Sequence, residues 1–456
     1  MTTTRRHFLG HVLAGLTGTA AGAAALPAQA AQQPLSAGGI EVAQLGVRPG
    51  RGDDQTVPLQ RAIEQAASTR SPLALAAGTY RASGLTLPPG THILGTAGAT
   101  RIVANRDKPI FTSTRANDVQ LSGLTFDGGG QGLRDSQGLV TLLNGDRIRV
   151  TDCEFIGAGC FALKLDGIAG EVTGCTIIGA ADAAIFSLDA RGLVIARNQI
   201  RRAGNNGIQV WRRAPGEDGT MVTDNTVQEV DVRDGGTGQN GNGVNVFRAG
   251  GVTVRGNRIK DCVFSAVRGN AASNLRILDN ACTGLGEVAL YAEFGFEGAV
   301  IANNTVDGAG HGVSVTNFND GGRLAVVQGN ILRNLGPQAR ARIANGTHGI
   351  GIYVEADTAV TGNVVERAAR AGIMAGWGRY LRDVSITGNV VRQSGIGIGV
   401  SVVQGAGAAL IANNLISGAA RGAILGMDHE HPVTGDLAKD GATRYSQLEI
   451  SGNRVN

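Results

Sequence analysis

The sequence predicts an all-β fold, a right-handed single-stranded parallel β-helix (a solenoid) with a short N-terminal capping helix. Three observations predict it. One unit recurs along the chain. Residues 385–400 read SITGNVVRQSGIGIGV, an apolar run broken by a Gly-Asn corner, then apolar and small residues alternating with period two. That alternation marks a strand with one buried face. The unit returns at residues 193–211, 252–262, 360–376 and 410–425. Next, the corner residue keeps its place, as Cys153, Cys175, Asn198, Asn225, Asn257, Asn280, Asn304, Asn330, Asn363, Asn389, Asn414 and Asn453, mostly about 22–27 residues apart. A fixed period of that size signals a repeat architecture, and this one leaves no room for a helix. Lastly, 71 glycines without a collagen period mean many tight corners. Asn suits a corner because it tolerates a left-handed backbone and its amide can bond the Asn of the next coil, about 4.8 Å away.

Taken in order, residues 1–30 carry Arg5-Arg6, a weakly apolar Gly/Ala stretch and Ala28-Gln29-Ala30. This resembles a twin-arginine export signal with an A-x-A cleavage site. The resemblance implies the twin-arginine translocation machinery as a partner, a periplasmic or secreted location, and no stable membrane anchor after cleavage. Residues 31–45 read as a linker. Residues 46–100 read as an N-terminal cap and leading coil, with Asp53 or Asp54 capping a helix over residues 56–68 that gathers Leu59, Ile63 and Ala66 on one face. Such a helix would cover the open end of the solenoid. Residues 46–96, with their GDD loop, AGTY and LPPGT turns, resemble the N-terminal region of the pectate-lyase-like β-helix superfamily. Residues 101–456 are the coils proper. Export signal, N-terminal region and Asn-cornered coils together resemble the twin-arginine-translocated repetitive proteins of bacteria, a likeness that implies fold and export and transfers no activity.

Removing Arg5 and Arg6 takes the net charge from +4 to +2, and no basic cluster interleaves with aromatics, so a nucleic-acid partner is not expected. The five cysteines, Cys153, Cys160, Cys175, Cys262 and Cys282, are odd in number and irregularly spaced. They read as buried thiols rather than a disulfide framework.

Insertions at residues 231–241, 336–347 and 428–444 would build the walls of a groove. Along each Gly-led strand, alternation turns every second residue outward. Aligning the coils on that strand puts Trp211, Phe247, Arg268, Tyr291, Thr316 and Tyr353 in one outward column, with Arg213, Asn270, Glu293 and Glu355 one step along. Asn206, Asn242, His311 and His348 precede the strand. Aromatic faces stack on sugar rings, and Arg, Asn and Glu bond hydroxyls or carboxylates. Trp211, Arg213, Phe247, Asn270, Glu293, Tyr353 and Glu355 are therefore the expected polysaccharide or oligosaccharide contacts. His311, His348, Tyr291 and Arg268 supply the base and charge-stabilising types that proton removal beside a uronic carboxylate needs.

Residues 308–315, GAGHGVSV, resemble the G-x-G-H-G-x-S motif of polygalacturonase-type hydrolases. The acids that family requires are replaced by Asn240-Gly241-Asn242 and Gly286-Glu287-Val288, which leaves Glu287 as the one carboxylate near the right place. In residues 427–432, MDHEHP, two histidines flank Glu430 without a third or fourth metal ligand, and the stretch reads as a polar loop. No metal or other cofactor is expected, because calcium needs an acid cluster and Glu293 with Glu355 is too thin. The expected function is binding of an extracellular or envelope polysaccharide, with lyase or epimerase chemistry preferred to hydrolysis. The alternative is a non-catalytic envelope scaffold or carbohydrate-binding protein.

Overall fold

Each coil runs through three strands, and each strand pairs in parallel with its counterpart one coil on. The computed structural model describes residues 42–133, 136–338 and 348–456. The expected signal and most of the expected linker lie outside the described residues. Within them the chain is a parallel β-solenoid of about 14 turns. Val42–Leu45, at the end of the expected linker, is a short 3-10 helix with Val42 buried.

One inner column, Ile93, Leu121, Val150, Val172, Ile195, Val222 and Val254, continues in register through Ile277, Ile301, Val327, Val360, Ile386 and Ile411 to Ile450. A second begins Ile102, Phe126, Phe155, Ile177 and Ile200. Phe126 and Phe155 stack at 5.0 Å inside it. These columns are one continuous core cluster, which is how a solenoid buries faces that no single coil could bury alone.

Helix Thr56–Thr69 joins that core through Leu59, Ala62, Ile63 and Ala66 and lies against the first coil. The expected Asp53 or Asp54 cap is corrected: Gln55 holds the N-cap position without a side-chain cap bond, and Asp54, one residue before it, accepts the Thr56 N–H on Oδ1 at 2.9 Å. Parallel pairing begins as early as Leu73–Ala74 with His92–Leu94. Among the described residues no helix is long and apolar enough to cross a membrane.

The asparagine corner is a ladder of side-chain amides. From Asn198 to Asn453 each Nδ2 donates to the Oδ1 of the next asparagine at 2.9–3.0 Å. The same Oδ1 also accepts the main-chain N–H of the preceding asparagine. The expectation that Asn itself takes the left-handed backbone is corrected. The residue before it does so, as Arg197, Asp224, Asp279, Asn303 and Asn413 or as Gly256, Gly329 and Gly362. The corner thus divides two tasks, a positive φ for one residue and amide pairing for the next. Cys153 and Cys175 precede the ladder, and the Cys175 N–H donates to Asn198 Oδ1 at 2.9 Å. All five cysteines are buried and outside any disulfide.

Candidate functional site

The strands that follow the third corner form a sheet with two outward columns. One runs Phe186, Gln209, Asn245, Arg268, Tyr291, Ser314, Tyr353 and Met374. The other runs Leu188, Trp211, Phe247, Asn270 and Glu293. The single column expected from the sequence is corrected. Trp211 and Phe247 stand two residues along from Arg268, Tyr291 and Tyr353, in the column of Asn270 and Glu293. Ala266 and Ala289 fill the slot that Gly207 and Gly243 fill in earlier coils, so the Gly-led alignment slips there by two. A two-residue slip keeps the outward direction and changes the column.

Arg268 is buried. Its Nε donates to Glu293 Oε1 at 2.7 Å and its Nη1 to Glu287 Oε2 at 3.2 Å. Its guanidinium lies 5.1 Å from the Tyr291 ring centroid. Gly238, at φ +135, rests on that guanidinium, and a Cβ there would collide with Nη1. The loop at residues 231–241 is held in place from below. Asn206 and Asn245 donate to Gln239 O, and Asn242 donates to Gly238 O. Asn270 is spent on Glu293 Oε1 at 3.1 Å. Glu355 accepts from the Tyr353 hydroxyl at 3.0 Å and from the Phe318 N–H at 2.7 Å. Arg213 stands off the site on the surface, paired with Asp166 and Asp189.

Beside Arg268 a pocket of about 270 Å³ opens between adjacent coils. Glu287, Tyr291, His311, Ser314, His348, Tyr353, Arg370 and Trp377 line it. The two imidazoles meet edge to face at 5.3 Å, although His348 lies two residues out of register with His311. His311 Nδ1 accepts the Ile350 N–H at 3.2 Å, which leaves its own proton on Nε2. His348 is 7% exposed, and its Nδ1 has no partner among the described residues. Burial pushes His311 down to about 3, with His348 and Arg370 adding to the shift, and burial also lowers His348. Both rings are neutral at neutral pH. Burial pushes Glu287 up to about 7 against the pull of Arg268, and raises the hydroxyls of Tyr291 and Tyr353 so that both stay protonated.

Four of the expected site residues thus share the pocket: Tyr291, Tyr353, His311 and His348. Arg268 backs it, while Trp211, Phe247, Asn270, Glu293 and Glu355 lie along the same face outside its lining. Sequence reasoning missed Arg370 and Trp377 and weighed Glu287 for hydrolysis alone.

Residues 428–431 form the turn of a hairpin, Ile424–Asp428 against His431–Asp436. His429 meets Trp377 edge to face at 5.1 Å, and Glu430 pairs with Arg370. Among the described residues no three His, Cys, Asp or Glu side chains converge as metal ligands. Of the expected wall at residues 336–347, all but residues 336–338 lies outside the described residues. A larger, open concavity of about 630 Å³ lies over Leu275, Val300, Val326 and Thr358. Its Asp357 is already bound to Arg323 and Arg382, so it brings less chemistry together.

A family model described as right handed beta helix region matches residues 90–227, 167–333 and 214–391. No curated protein matches the chain. Among solved structures, the pre-mature gene product 12 of bacteriophage phi29 superposes with TM-score 0.57 at 16% identity, over 86% of this chain and 58% of that one. This chain therefore spans less than two thirds of the phage protein's length. The catalytic unit of a thermostable GH87 α-1,3-glucanase from Streptomyces thermodiastaticus strain HF3-3 gives 0.52 at 15% identity, over 92% and 69%. A PL6 alginate lyase in complex with a trisaccharide gives 0.51 at 12% identity, over 86% and 93%. At such identities the likeness is one of fold.

Proposed function

The chain belongs to the right-handed β-helix family, and we propose that it binds an acidic, uronic-acid-containing polysaccharide and acts on it by lyase or epimerase chemistry. The observation that carries the reading is the convergence of His311, His348, Tyr291, Tyr353 and Arg370 on one pocket. The α-1,3-glucanase and the trisaccharide-bound alginate lyase support it, because both share the fold and are named for action on polysaccharides.

In this reading the substrate carboxylate enters beside the arginine. His348 is assigned as the base because the His311 Nδ1 lone pair is taken by the Ile350 N–H. His311 offers Nε2–H to the developing enolate charge. A carboxylate arriving next to His348 restores basicity that burial removed. His348 takes the proton from the carbon beside the carboxylate, and the electron pair forms a carbon–carbon double bond as the adjacent glycosidic C–O bond breaks. The leaving oxygen takes its proton from Tyr291, because the Tyr353 proton is engaged by Glu355. Return of a proton to the opposite face, with the C–O bond intact, gives the epimer instead.

Incubation of the full chain with a panel of uronic-acid polymers tests this. Ultraviolet absorbance from unsaturated ends marks elimination, and deuterium uptake from solvent without cleavage marks epimerisation. New reducing ends without unsaturation would replace the reading with hydrolysis. A second reading, a non-catalytic envelope scaffold or carbohydrate-binding protein, is favoured by the saturation of Arg268 and Glu355 with internal partners, and predicts binding without turnover. In both readings the chain is exported folded by the twin-arginine route to the periplasm or beyond, as one of the twin-arginine-translocated repetitive proteins. Cell fractionation after the double substitution Arg5→Lys, Arg6→Lys tests that.

A further inference from the structure

The pocket lining carries a cation, Arg370, that is already paired at the rim with a carboxylate from a distant part of the chain. Arg370 lines the pocket with its side chain 16% exposed, and its Nη2 lies 2.9 Å from Glu430 Oε2 across 60 residues of sequence. Glu430 sits at the turn of the hairpin formed by Ile424–Asp428 and His431–Asp436. The base of that hairpin is firmly tied. Asp436 accepts the N–H groups of Ala423 and Ile424, and Thr434 Oγ1 accepts that of Gly426. Its tip rests on the pocket rim through His429 against Trp377 and Glu430 against Arg370. The Glu430 side chain is 40% exposed, so water can take it over when the pair opens.

We propose that Arg370 recognises the carboxylate of an acidic sugar and that Glu430 is its intramolecular competitor, standing in for that carboxylate until the sugar displaces it. The proposal rests on the acidic-polysaccharide reading above and adds the residue that sets its specificity. A guanidinium binds any carboxylate through the same planar fork of donors. Exchange of one carboxylate for another therefore keeps a carboxylate on Arg370, and the glutamate it releases is already partly exposed to water. Neutral sugars cannot make this exchange and meet Arg370 already paired.

The test is isothermal titration of the full chain with short oligomers of mannuronate, guluronate and galacturonate and with neutral hexose oligomers. Glu430→Gln keeps the tip's shape and removes the competing charge. It is expected to tighten acidic oligomers by about twofold to fivefold, the range of a partly exposed ion pair, and to leave neutral ones unchanged. Arg370→Ala is expected to erase the preference for acidic oligomers. Unchanged thermal melting in both variants confirms that the hairpin stays folded. If wild type binds acidic oligomers and Glu430→Gln binds them equally or more weakly, the pair is a structural clamp and the proposal falls while the functional reading stands. If neither wild type nor Glu430→Gln binds any acidic oligomer, the functional reading falls and takes the proposal with it.

Discussion

One outward face holds two regions of different character. Over the coils that contain Phe161 to Phe247 it is aromatic. Phe161 stacks on Phe186 at 4.7 Å, Phe186 meets Trp211 at 5.7 Å, and Trp211 meets Phe247 at 5.6 Å. Over the coils from Arg268 to Trp377 the face is ionisable. Coil spacing suits the first region, because rings about 5 Å apart satisfy one another and need nothing further. Phe161 and Phe186 are accordingly buried in a satellite cluster with Cys160 and Ala183. The second region cannot close on itself. Glu287 and Glu293 share one guanidinium, and His348 keeps an unpartnered nitrogen. Identical spacing thus yields a sealed strip where neighbours match and a pocket where they do not.

The largest expected effect breaks that comparison at His348. His348→Ala should lower turnover on the best uronate polymer by about 10²–10⁴-fold, the usual worth of a general base, with oligosaccharide affinity little changed. Retention of turnover would move the chemistry away from the pocket. Next comes the sealed strip. Phe186→Ala should destabilise the fold by about 3 kcal/mol, at the low end for a buried phenylalanine because it lies at the sheet surface, and leave oligosaccharide binding as it was. Denaturant unfolding measures the first and titration the second. Weakened binding with normal stability would make the strip a ligand platform.

These contrasts also explain what the sequence made legible. The corner was readable because every coil asks its asparagine for the same two bonds, so a shared requirement became a repeat. Its backbone was assigned one residue late, since a Gly-Asn pair does not say which member takes the positive φ. Outward direction was readable for Tyr291 and Tyr353 because alternation survives a two-residue slip. Their column was not, because Ala266 and Ala289 replace the glycine that marks the register. Arg370, Trp377 and Glu430 reach the pocket from turns of later coils, and no local pattern in the sequence announces a contact across 60 residues.

A smaller effect sharpens the ionisable half through pH. The Glu287 carboxyl, pushed up to about 7 by burial, keeps its proton in the folded chain where the unfolded chain, with an ordinary value of 4.5, has lost it. Folding binds a proton in that window, so this group's contribution to stability falls as pH rises from about 4.5 to 7. His311, held down to about 3 from an ordinary 6.5, works the other way. Its contribution is present above 6.5 and is lost as pH falls towards 3. The two slopes oppose each other between about 4.5 and 6.5. Glu287→Gln should remove one of them, gaining on the order of 2 kcal/mol over that window relative to wild type as pH rises. The slope is the readout, because removing a partner of Arg268 also shifts stability at every pH. Parallel stability–pH curves for variant and wild type would mean that Glu287 titrates normally.

The smallest effect tests where the two halves meet. Trp211 is half-buried, its edge is held by Phe186 and Phe247, and its Nε1 donates to Asn245 Oδ1 at 2.9 Å. It belongs to the sealed strip by its contacts and to the solvent by its remaining exposed area. If a polysaccharide runs along the face from the pocket, Trp211 is the ring that can meet a sugar beyond the site. Trp211→Ala should then weaken binding of long oligosaccharides by about 1 kcal/mol and leave short ones that fill only the pocket unaffected. Titration with a length series of one uronate polymer measures it. Equal losses for short and long ligands would mean that the substitution acts through Asn245 and the loop over Arg268. No loss at any length would confine recognition to the pocket.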